Sequence, residues 1–134
     1  MWALYQSTGE FTHDDVHVAW AYSGHGEGKN NPAMQSVPNV GPLPRGRWTF
    51  GPLENDHPHL GPDVMPLTPV MGTVTFGRSG FFCHGDSISH PGDASDGCLI
   101  LAHNVRLAVA DSPDKDLLVT DVQPIVLDPR VVND

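Results

Sequence analysis

The sequence predicts a mainly β fold, β-rich with one or two short helices, and three observations support this prediction. The chain contains 14 glycines and 13 prolines among 134 residues, a composition that favours short strands and turns over long helices. Apolar and polar residues alternate in several short segments, which is the pattern of a half-buried strand. The length matches that of an average domain, so we expect residues 1–134 to form a single domain.

The first part of the chain predicts short antiparallel strands. Residues 2–6 alternate and are closed by Ser7, Thr8 and Gly9, and residues 16–22 alternate again. Residues 23–46 are dominated by glycine, asparagine and proline, which interrupt both helices and strands. We therefore expect a long loop there, either ordered or disordered.

The remainder predicts further strands and one helix. Residues 54–69 are rich in proline and histidine and are interpreted as a surface loop. The apolar spacing of residues 104–110 predicts a short helix. The segments with the apolar pattern of strands are residues 47–50, 70–76, 81–84, 98–101, 117–122 and 124–127.

The charge of the chain limits its partners. The formal net charge is −9 with only 7 lysines and arginines, whereas nucleic acids and anionic membrane surfaces attract clustered basic residues. No apolar run approaches the roughly 20 residues of a transmembrane helix. We expect no nucleic-acid partner and no membrane insertion. The first residues lack the pattern of a signal peptide, so we expect synthesis in the cytoplasm without a Sec signal.

The strongest chemical signal is a histidine upstream of a cysteine. His84 ends a short apolar segment, and Cys98 closes the segment Ser95-Asp96-Gly97-Cys98. A thiol attacks a carbonyl as the thiolate, so it needs a base, and the resulting oxyanion needs backbone N–H donors. Gly97 lets the backbone come close to a substrate. We predict that Cys98 is an activated nucleophile that reacts with iodoacetamide well below pH 8, with His84 as its base.

The other cysteine, Cys83, is predicted to be structural. Successive side chains of a strand point to opposite faces, so Cys83 and His84 cannot both face one cleft. We expect Cys83 to be a small buried apolar residue. A disulfide with Cys98 is not expected, because the compartment of synthesis is reducing.

Several motifs run in an order that resembles one family. Together they are similar to the Tlde1-type domain of L,D-transpeptidase-like type VI secretion effectors, over residues 2–101. The motifs are Trp2-x-x-Tyr5, Ser7-Thr8-Gly9, Tyr22-Ser23-Gly24, Lys29-Asn30-Asn31-Pro32, Gly41-Pro42-Leu43-Pro44-Arg45-Gly46, Phe82-x-His84-Gly85-Asp86 and Ser95-x-Gly97-Cys98.

The resemblance implies a fold like that of the L,D-transpeptidase catalytic domain and an antibacterial enzyme acting on peptidoglycan stem tetrapeptides. The Cys98 thiolate would attack the carbonyl on the L-centre of the third residue and expel the terminal D-alanine, leaving a thioester. Water, a D-amino acid or the amine of a second stem would then resolve the thioester. By motif, Cys98 is the nucleophile, His84 the base, and Ser95 and Gly97 shape the turn. No cofactor or metal is implied.

The resemblance also implies delivery by a secretion apparatus into the periplasm of a target cell. A cognate immunity protein would guard the producing cell.

Other site residues are assigned by their chemistry. At the turn before Cys98, ordinary L,D-transpeptidases have a histidine where this chain has Asp96. Either Asp86 or Asp96 is a candidate to accept a hydrogen bond from His84 and so fix the tautomer of its imidazole. Arg78, with Arg45 as the second choice, is predicted to bind the terminal carboxylate, because a guanidinium binds carboxylates in a bidentate way. His90, which lies between the segments of His84 and Cys98, is a candidate to line the substrate channel.

Two other readings stay open. A zinc hydrolase would draw its ligands from His84, Asp86, His90 or His103, and Cys98, although the chain has none of the usual zinc spacings. Turnover that survives EDTA but not thiol alkylation would exclude it. The other reading is a non-catalytic module that binds cell wall or a partner protein, in which Cys98 would be inert.

Overall fold

Ten strands, one α-helix and two short 3₁₀ helices make up the regular structure of residues 1–121, the part of the chain that the computed structural model describes. The 3₁₀ helices are Gly26–Gly28 and Pro32–Met34, and α1 is His103–Asp111. The predicted mainly β fold is therefore confirmed. The strands are β1 (Trp2–Tyr5), β2 (Glu10–His13), β3 (Val16–Trp20), β4 (Tyr22–Ser23), β5 (Gly46–Phe50), β6 (Glu54–His57), β7 (Gly61–Pro69), β8 (Phe82–His84), β9 (Leu99–Ile100) and β10 (Asp116–Thr120).

The strands form one strongly mixed sheet in the order β3-β2-β1-β10-β5-β7-β8-β9-β4, with β6 paired to β7. The β1–β10 and β8–β9 pairs are parallel, and the other pairs are antiparallel. The β8–β9 pair matters most for the site, because it joins the two motif segments that carry His84 and Cys98.

The hydrophobic core is centred on Trp48 of β5, which is completely buried. Its ring meets Phe81 edge-on with the centroids 5.0 Å apart, and its indole N–H donates to the carbonyl of Pro44 at 2.9 Å. Burying a large apolar side chain contributes about 1.5–3 kcal/mol. The contact with Phe81 therefore anchors the chain immediately before β8. Cys83 also lies in this core and is completely buried, as predicted.

Several predicted elements are confirmed within one or two residues. The predicted strands at residues 2–6, 47–50, 81–84 and 98–101 correspond to β1, β5, β8 and β9. The predicted helix corresponds to α1, which packs against β7. The long loop of residues 23–46 is ordered. The predicted strand at residues 124–127 lies outside the described residues.

The interpretation of residues 54–69 as a surface loop is wrong, because they form the β6–β7 hairpin. The prolines of β7 argued against a strand, but β7 changes partners along its length. It pairs with β6, then with β8 and finally with β5. A proline lacks only the donor of one ladder hydrogen bond, so Pro66 still accepts from the backbone N–H of Gly51 at 2.7 Å.

The predicted strand at residues 70–76 is also wrong, and the segment is a loop held against β5. The backbone N–H of Val70 donates to the carbonyl of Arg47, and the Thr73 hydroxyl donates to the same carbonyl at 2.8 Å. Gly72 has a φ of +97°, which turns the chain away from an extended path.

Candidate active site

Cys98 and His84 come from adjacent strands. β8 and β9 pair in parallel, with His84 opposite Ile100. His84 is the last residue of β8, and Cys98 immediately precedes β9. The backbone N–H of Phe82, at the start of β8, hydrogen-bonds the Cys98 sulfur. The parallel register thus brings the predicted nucleophile and base to neighbouring positions in the sheet.

The Cys98 thiol is half-buried in the wall of a cavity of about 470 Å³. Its Sγ lies 4.0 Å from the carbonyl oxygen of Gly80. The other residues that line the cavity are Pro38, Asn39, His57, His59, Leu60, Gly77, Arg78, Ser79, Gly80, Phe81, Phe82, Asp96 and Gly97.

Burial raises the pKa of the Cys98 thiol above the ordinary value of a cysteine. The Phe82 N–H opposes this increase in pKa, as does the guanidinium of Arg78, whereas the nearby Asp96 carboxylate adds to it. The net increase means that the free thiol is neutral at neutral pH. This direction differs from the sequence-based expectation of a thiolate well below pH 8, and it means that attack requires a base.

His84 has the features of such a base. Its side chain is 3% exposed, and its Nδ1 lies 2.8 Å from the carbonyl oxygen of Gly85. A carbonyl oxygen only accepts hydrogen bonds, so Nδ1 carries the proton and Nε2 keeps its lone pair. Burial lowers the pKa of His84, which keeps the imidazole neutral at pH 7.

His84 lines a second cavity, of about 530 Å³, next to that of Cys98. His59 and Leu60 border both cavities and therefore mark their common edge. No hydrogen bond joins His84 directly to Cys98 within residues 1–121. Catalytic hydrogen bonds are often long in a ligand-free site and shorten when substrate binds.

Ser95 organises the turn that presents Cys98. It is completely buried, and its Oγ accepts from the backbone N–H groups of Gly24 and Gly97 at 2.9 and 3.1 Å. The same hydroxyl donates to the carbonyl of Cys98 at 2.7 Å. Ser23 donates to that carbonyl as well, at 2.9 Å. Ser95 therefore has the turn-shaping contacts that its motif position implies.

Gly97 is required at its position by both conformation and space. Its φ is +129°, and a Cβ built on it would lie 2.2 Å from Nη2 of Arg78. Because its N–H is bonded to Ser95, this amide is not free to donate to an oxyanion. The N–H of Cys98 is the other backbone donor of the turn, and a further donor would come from the cavity wall.

Asp86 and Asp96 do not hold the His84 imidazole within residues 1–121. Asp86 accepts from the Tyr22 hydroxyl at 2.6 Å and from the backbone N–H groups of Ser87 and Gly92. Burial alone would raise the pKa of Asp86, but these hydrogen bonds lower it. The side chain of Asp96 is exposed beside the cavity. The partner of Nδ1 is thus a backbone carbonyl rather than a carboxylate.

Arg78 lines the Cys98 cavity, but its guanidinium is already bonded to the backbone. Nη1 donates to the carbonyls of Gln35 and Pro42 at 2.6 and 2.8 Å, and Nη2 donates to Gly41 and Asp96 at 3.0 and 3.4 Å. The side chain is 9% exposed. Arg78 therefore ties the turn before Cys98 to the long loop, and a substrate carboxylate would have to compete with these carbonyls.

The other predicted binding residues lie outside the Cys98 cavity. Arg45 lines a separate cavity of about 690 Å³, and its Nε donates to Gln6 at 3.1 Å. His90 is exposed and borders the His84 cavity, with its Nδ1 3.0 Å from the Ser89 hydroxyl.

The residues of the zinc alternative do not converge. His84, Asp86 and His90 line one cavity, whereas Cys98 lines another and His103 pairs with Asp63 at 2.6 Å. Among residues 1–121, the one group of three such side chains whose ligand atoms lie within 4.8 Å of one another is His13, Asp14 and Asp114. None of these three belongs to the predicted zinc set.

Sequence reasoning missed His57, the last residue of β6. It falls in residues 54–69, the segment interpreted as a surface loop, whereas its ring packs edge-on against Phe82 with the centroids 5.2 Å apart. It lines the same cavity as Cys98. No local signal marks it, because β6 is entirely polar and forms a strand only through its pairing with β7.

The site has the parts of a cysteine acyl-transfer centre: a glycine-turn thiol, a neutral imidazole with a free Nε2 and an open cavity. A model of the Tlde1 domain family matches residues 17–120. The chain therefore belongs to the Tlde1 domain family, which indicates a type VI secretion effector. No curated protein matches the chain significantly. Among the described residues, no helix is long and apolar enough to cross a membrane.

Proposed function

We propose that this protein is an antibacterial cysteine enzyme that cleaves the bond between the L-centre of the third residue and the terminal D-alanine of peptidoglycan stem tetrapeptides. The proposed activities are L,D-carboxypeptidase and D-amino-acid exchange. The observation that carries the proposal is the placement of His84 at the end of β8 and of Cys98 immediately before the adjacent parallel strand β9, with the tautomer of His84 fixed by Gly85.

Attack starts from two neutral groups. As Sγ of Cys98 bonds to the substrate carbonyl carbon, the thiol proton moves to Nε2 of His84, and the carbonyl electron pair moves to the oxygen. The hydrogen bond from Nδ1 to Gly85 stabilises the imidazolium that forms. Half-burial of the thiol suits this order of events, because the charges develop only when the substrate has displaced water.

Collapse of the tetrahedral intermediate breaks the bond to D-alanine. The imidazolium of His84 gives its proton to the leaving nitrogen, and Cys98 keeps the acyl group as a thioester. Water then attacks the thioester with His84 again acting as base, which regenerates the thiol. A D-amino acid in place of water gives exchange, and the amine of a second stem gives a cross-link.

The family context supports the wider proposal. A type VI effector of this kind would be exported to the periplasm of a target cell, where peptidoglycan is exposed, and a cognate immunity protein would protect the producer. Residues 1–134 are proposed to act as one Tlde1-like domain.

The test is mass spectrometry of purified disaccharide-tetrapeptide incubated with wild-type protein, Cys98→Ala and His84→Ala, with and without a labelled D-amino acid. Loss or exchange of one alanine in the wild type alone supports the proposal. Cys83→Ala is the matched control, because Cys83 lies in the core and is expected to affect stability rather than turnover.

Two further arms separate the alternatives. A tetrapeptide that ends in L-alanine should stay intact, since the proposed site is specific for the D-centre. Turnover that is abolished by EDTA but survives alkylation of Cys98 would favour a metal hydrolase. An intact substrate in every sample, with folded protein, would favour a binding module.

A further inference from the structure

The turn before Cys98 offers an oxyanion only one backbone N–H, that of Cys98 itself, because the N–H of Gly97 is already bonded. The N–H of Gly97 donates to Ser95 Oγ at 3.1 Å, and the N–H of Phe82 hydrogen-bonds the sulfur of Cys98. Stabilising the oxyanion of an acyl-transfer reaction is usually a large part of catalysis. A polar side chain in the cavity wall is therefore a candidate for a further hydrogen-bond donor to the oxyanion.

His57 has a fixed tautomer. Its Nδ1 accepts from the backbone N–H groups of His59 and Leu60, each at 3.2 Å. A nitrogen that accepts these hydrogen bonds cannot carry a proton, so the neutral ring carries its proton on Nε2. The hairpin turn thus holds the imidazole as an N–H donor, and Nε2–H is the polar group that the ring has left to offer.

The position of the ring connects it to the nucleophile. His57 is half-buried and lines the cavity that contains Cys98. Its ring packs against Phe82 at 5.2 Å, and Phe82 is the residue whose N–H hydrogen-bonds the Cys98 sulfur. His57 also lies near enough to His84 for its charge to lower the pKa of that base.

We propose that the Nε2–H of His57 binds the carbonyl oxygen of the bond that Cys98 attacks and stabilises the oxyanion that forms there. This inference rests on the proposed acyl-transfer function, but not on a peptidoglycan substrate. In the step concerned, Sγ bonds to the carbonyl carbon, the thiol proton passes to His84 Nε2, and the carbonyl electron pair moves to the oxygen that faces His57. When the oxyanion collapses, the pair returns and the leaving group departs.

Two reagents separate this role from a general effect on the thiol. Acylation by p-nitrophenyl acetate passes through an oxyanion and releases p-nitrophenolate, whereas alkylation by iodoacetamide displaces iodide and develops no charge on a carbonyl oxygen. The Cys98-dependent part of each rate is the difference between each protein and its Cys98→Ala version.

The central variant is His57→Asn. The Asn side chain is short enough to accept from the backbone two residues on and so preserve the turn, but it does not reach as far as Nε2. We expect its Cys98-dependent acylation to fall about 10²-fold, as for other lost oxyanion donors, while alkylation stays within about two-fold. His57→Gln extends an amide N–H toward the Nε2 position and should recover part of the acylation rate.

Asn55→Ala is the matched control, because Asn55 is exposed on the same strand, β6, and does not line the cavity. Its two rates should match those of the wild type, and thermal melts should show that all variants are folded.

Three results would overturn the inference: undiminished acylation in His57→Asn, an equal fall of acylation and alkylation, or no Cys98-dependent acylation in the wild type. A wild type that is acylated by the ester but leaves the tetrapeptide intact would contradict the proposed substrate alone.

Discussion

The hydroxyl of Ser95 donates to the carbonyl oxygen of Cys98 at 2.7 Å and so closes the turn of the nucleophile from inside the protein. Oγ of Ser95 also accepts hydrogen bonds from the N–H groups of Gly24 and Gly97. Ser95 therefore joins the turn to the start of the long loop. The turn is thus part of the buried structure rather than a flexible connection.

Ser95→Ala should lower the free energy of unfolding by about 2–6 kcal/mol, because two buried N–H groups lose their acceptor and each costs about 1–3 kcal/mol. Chemical denaturation measures the change. Ser36→Ala is the control, since Ser36 is exposed. A Ser95→Ala protein as stable as the wild type would show that water replaces the hydroxyl.

Gly97→Ala should abolish most activity. The added Cβ would lie 2.2 Å from Nη2 of Arg78 and would also face a φ of +129°, a conformation that costs about 1–3 kcal/mol for other residues. Gly72→Ala is the matched control, because Gly72 has a φ of +97° but open space around it and does not line the Cys98 cavity. Tetrapeptide turnover and thermal melts are the measurements. Equal effects of the two substitutions would mean that the contact with Arg78 is unimportant.

Arg78→Lys should destabilise the protein by about 2–4 kcal/mol, because one ammonium cannot satisfy all the backbone carbonyls that the guanidinium bonds. Turnover should fall mainly through kcat, since the turn before Cys98 loosens. The alternative role, binding of the substrate carboxylate, predicts instead a rise in KM that disappears when the substrate carboxylate is amidated. Comparing the two substrates decides between these roles.

Asp86→Asn should leave kcat within about a few-fold of the wild type, because Nδ1 of His84 is held by the Gly85 carbonyl. The hydrogen bond from Tyr22, whose pKa is raised to about 12 chiefly by burial and also by this bond, is weakened, so a lower melting temperature is expected. A fall in kcat of about 10²-fold or more in a folded protein would restore Asp86 as the group that orients the base.

The pH dependence of kcat/KM should show that the reaction starts from a neutral His84 imidazole and a neutral Cys98 thiol. Burial lowers the pKa of His84, so kcat/KM should rise with pH through a pKa below the ordinary histidine value of about 6.5 and then stay level through pH 7. The raised pKa of Cys98 predicts that alkylation keeps increasing into the alkaline range. Stopped assays of turnover and iodoacetamide labelling measure both. Iodoacetamide labelling that is already pH-independent below pH 7, together with a fall of kcat/KM at alkaline pH, would indicate a preformed imidazolium–thiolate pair.

The sequence predicted those parts of the fold whose apolar pattern is uninterrupted. β1 is buried along its whole length, and β5 buries Trp48 and Phe50 at alternate positions, so local pattern alone identifies them. β7 was not predicted, because Pro62 and Pro66 interrupt its apolar pattern. The sheet tolerates these prolines because β7 pairs with different strands along its length, and the local sequence does not show that pairing.

The candidate site likewise has parts that local sequence identifies and parts that only the folded chain shows. Cys98, His84 and the turn at Ser95 were identifiable from residue type and motif. The carbonyl that orients His84 was not, because every residue carries one and only the folded chain shows which is used. Arg78 was predicted as a ligand-binding cation because sequence does not reveal how many carbonyls surround a guanidinium.

Burial of the two thiols has a consequence for chemical durability. Both cysteines are unpaired, Cys83 is enclosed in the core, and burial raises the pKa of each. Oxidation to sulfenic acid or a mixed disulfide proceeds through the thiolate, so a thiol that stays protonated until substrate arrives is slow to oxidise. A nucleophile kept in this form would survive passage into an oxidising compartment without a protective reductant.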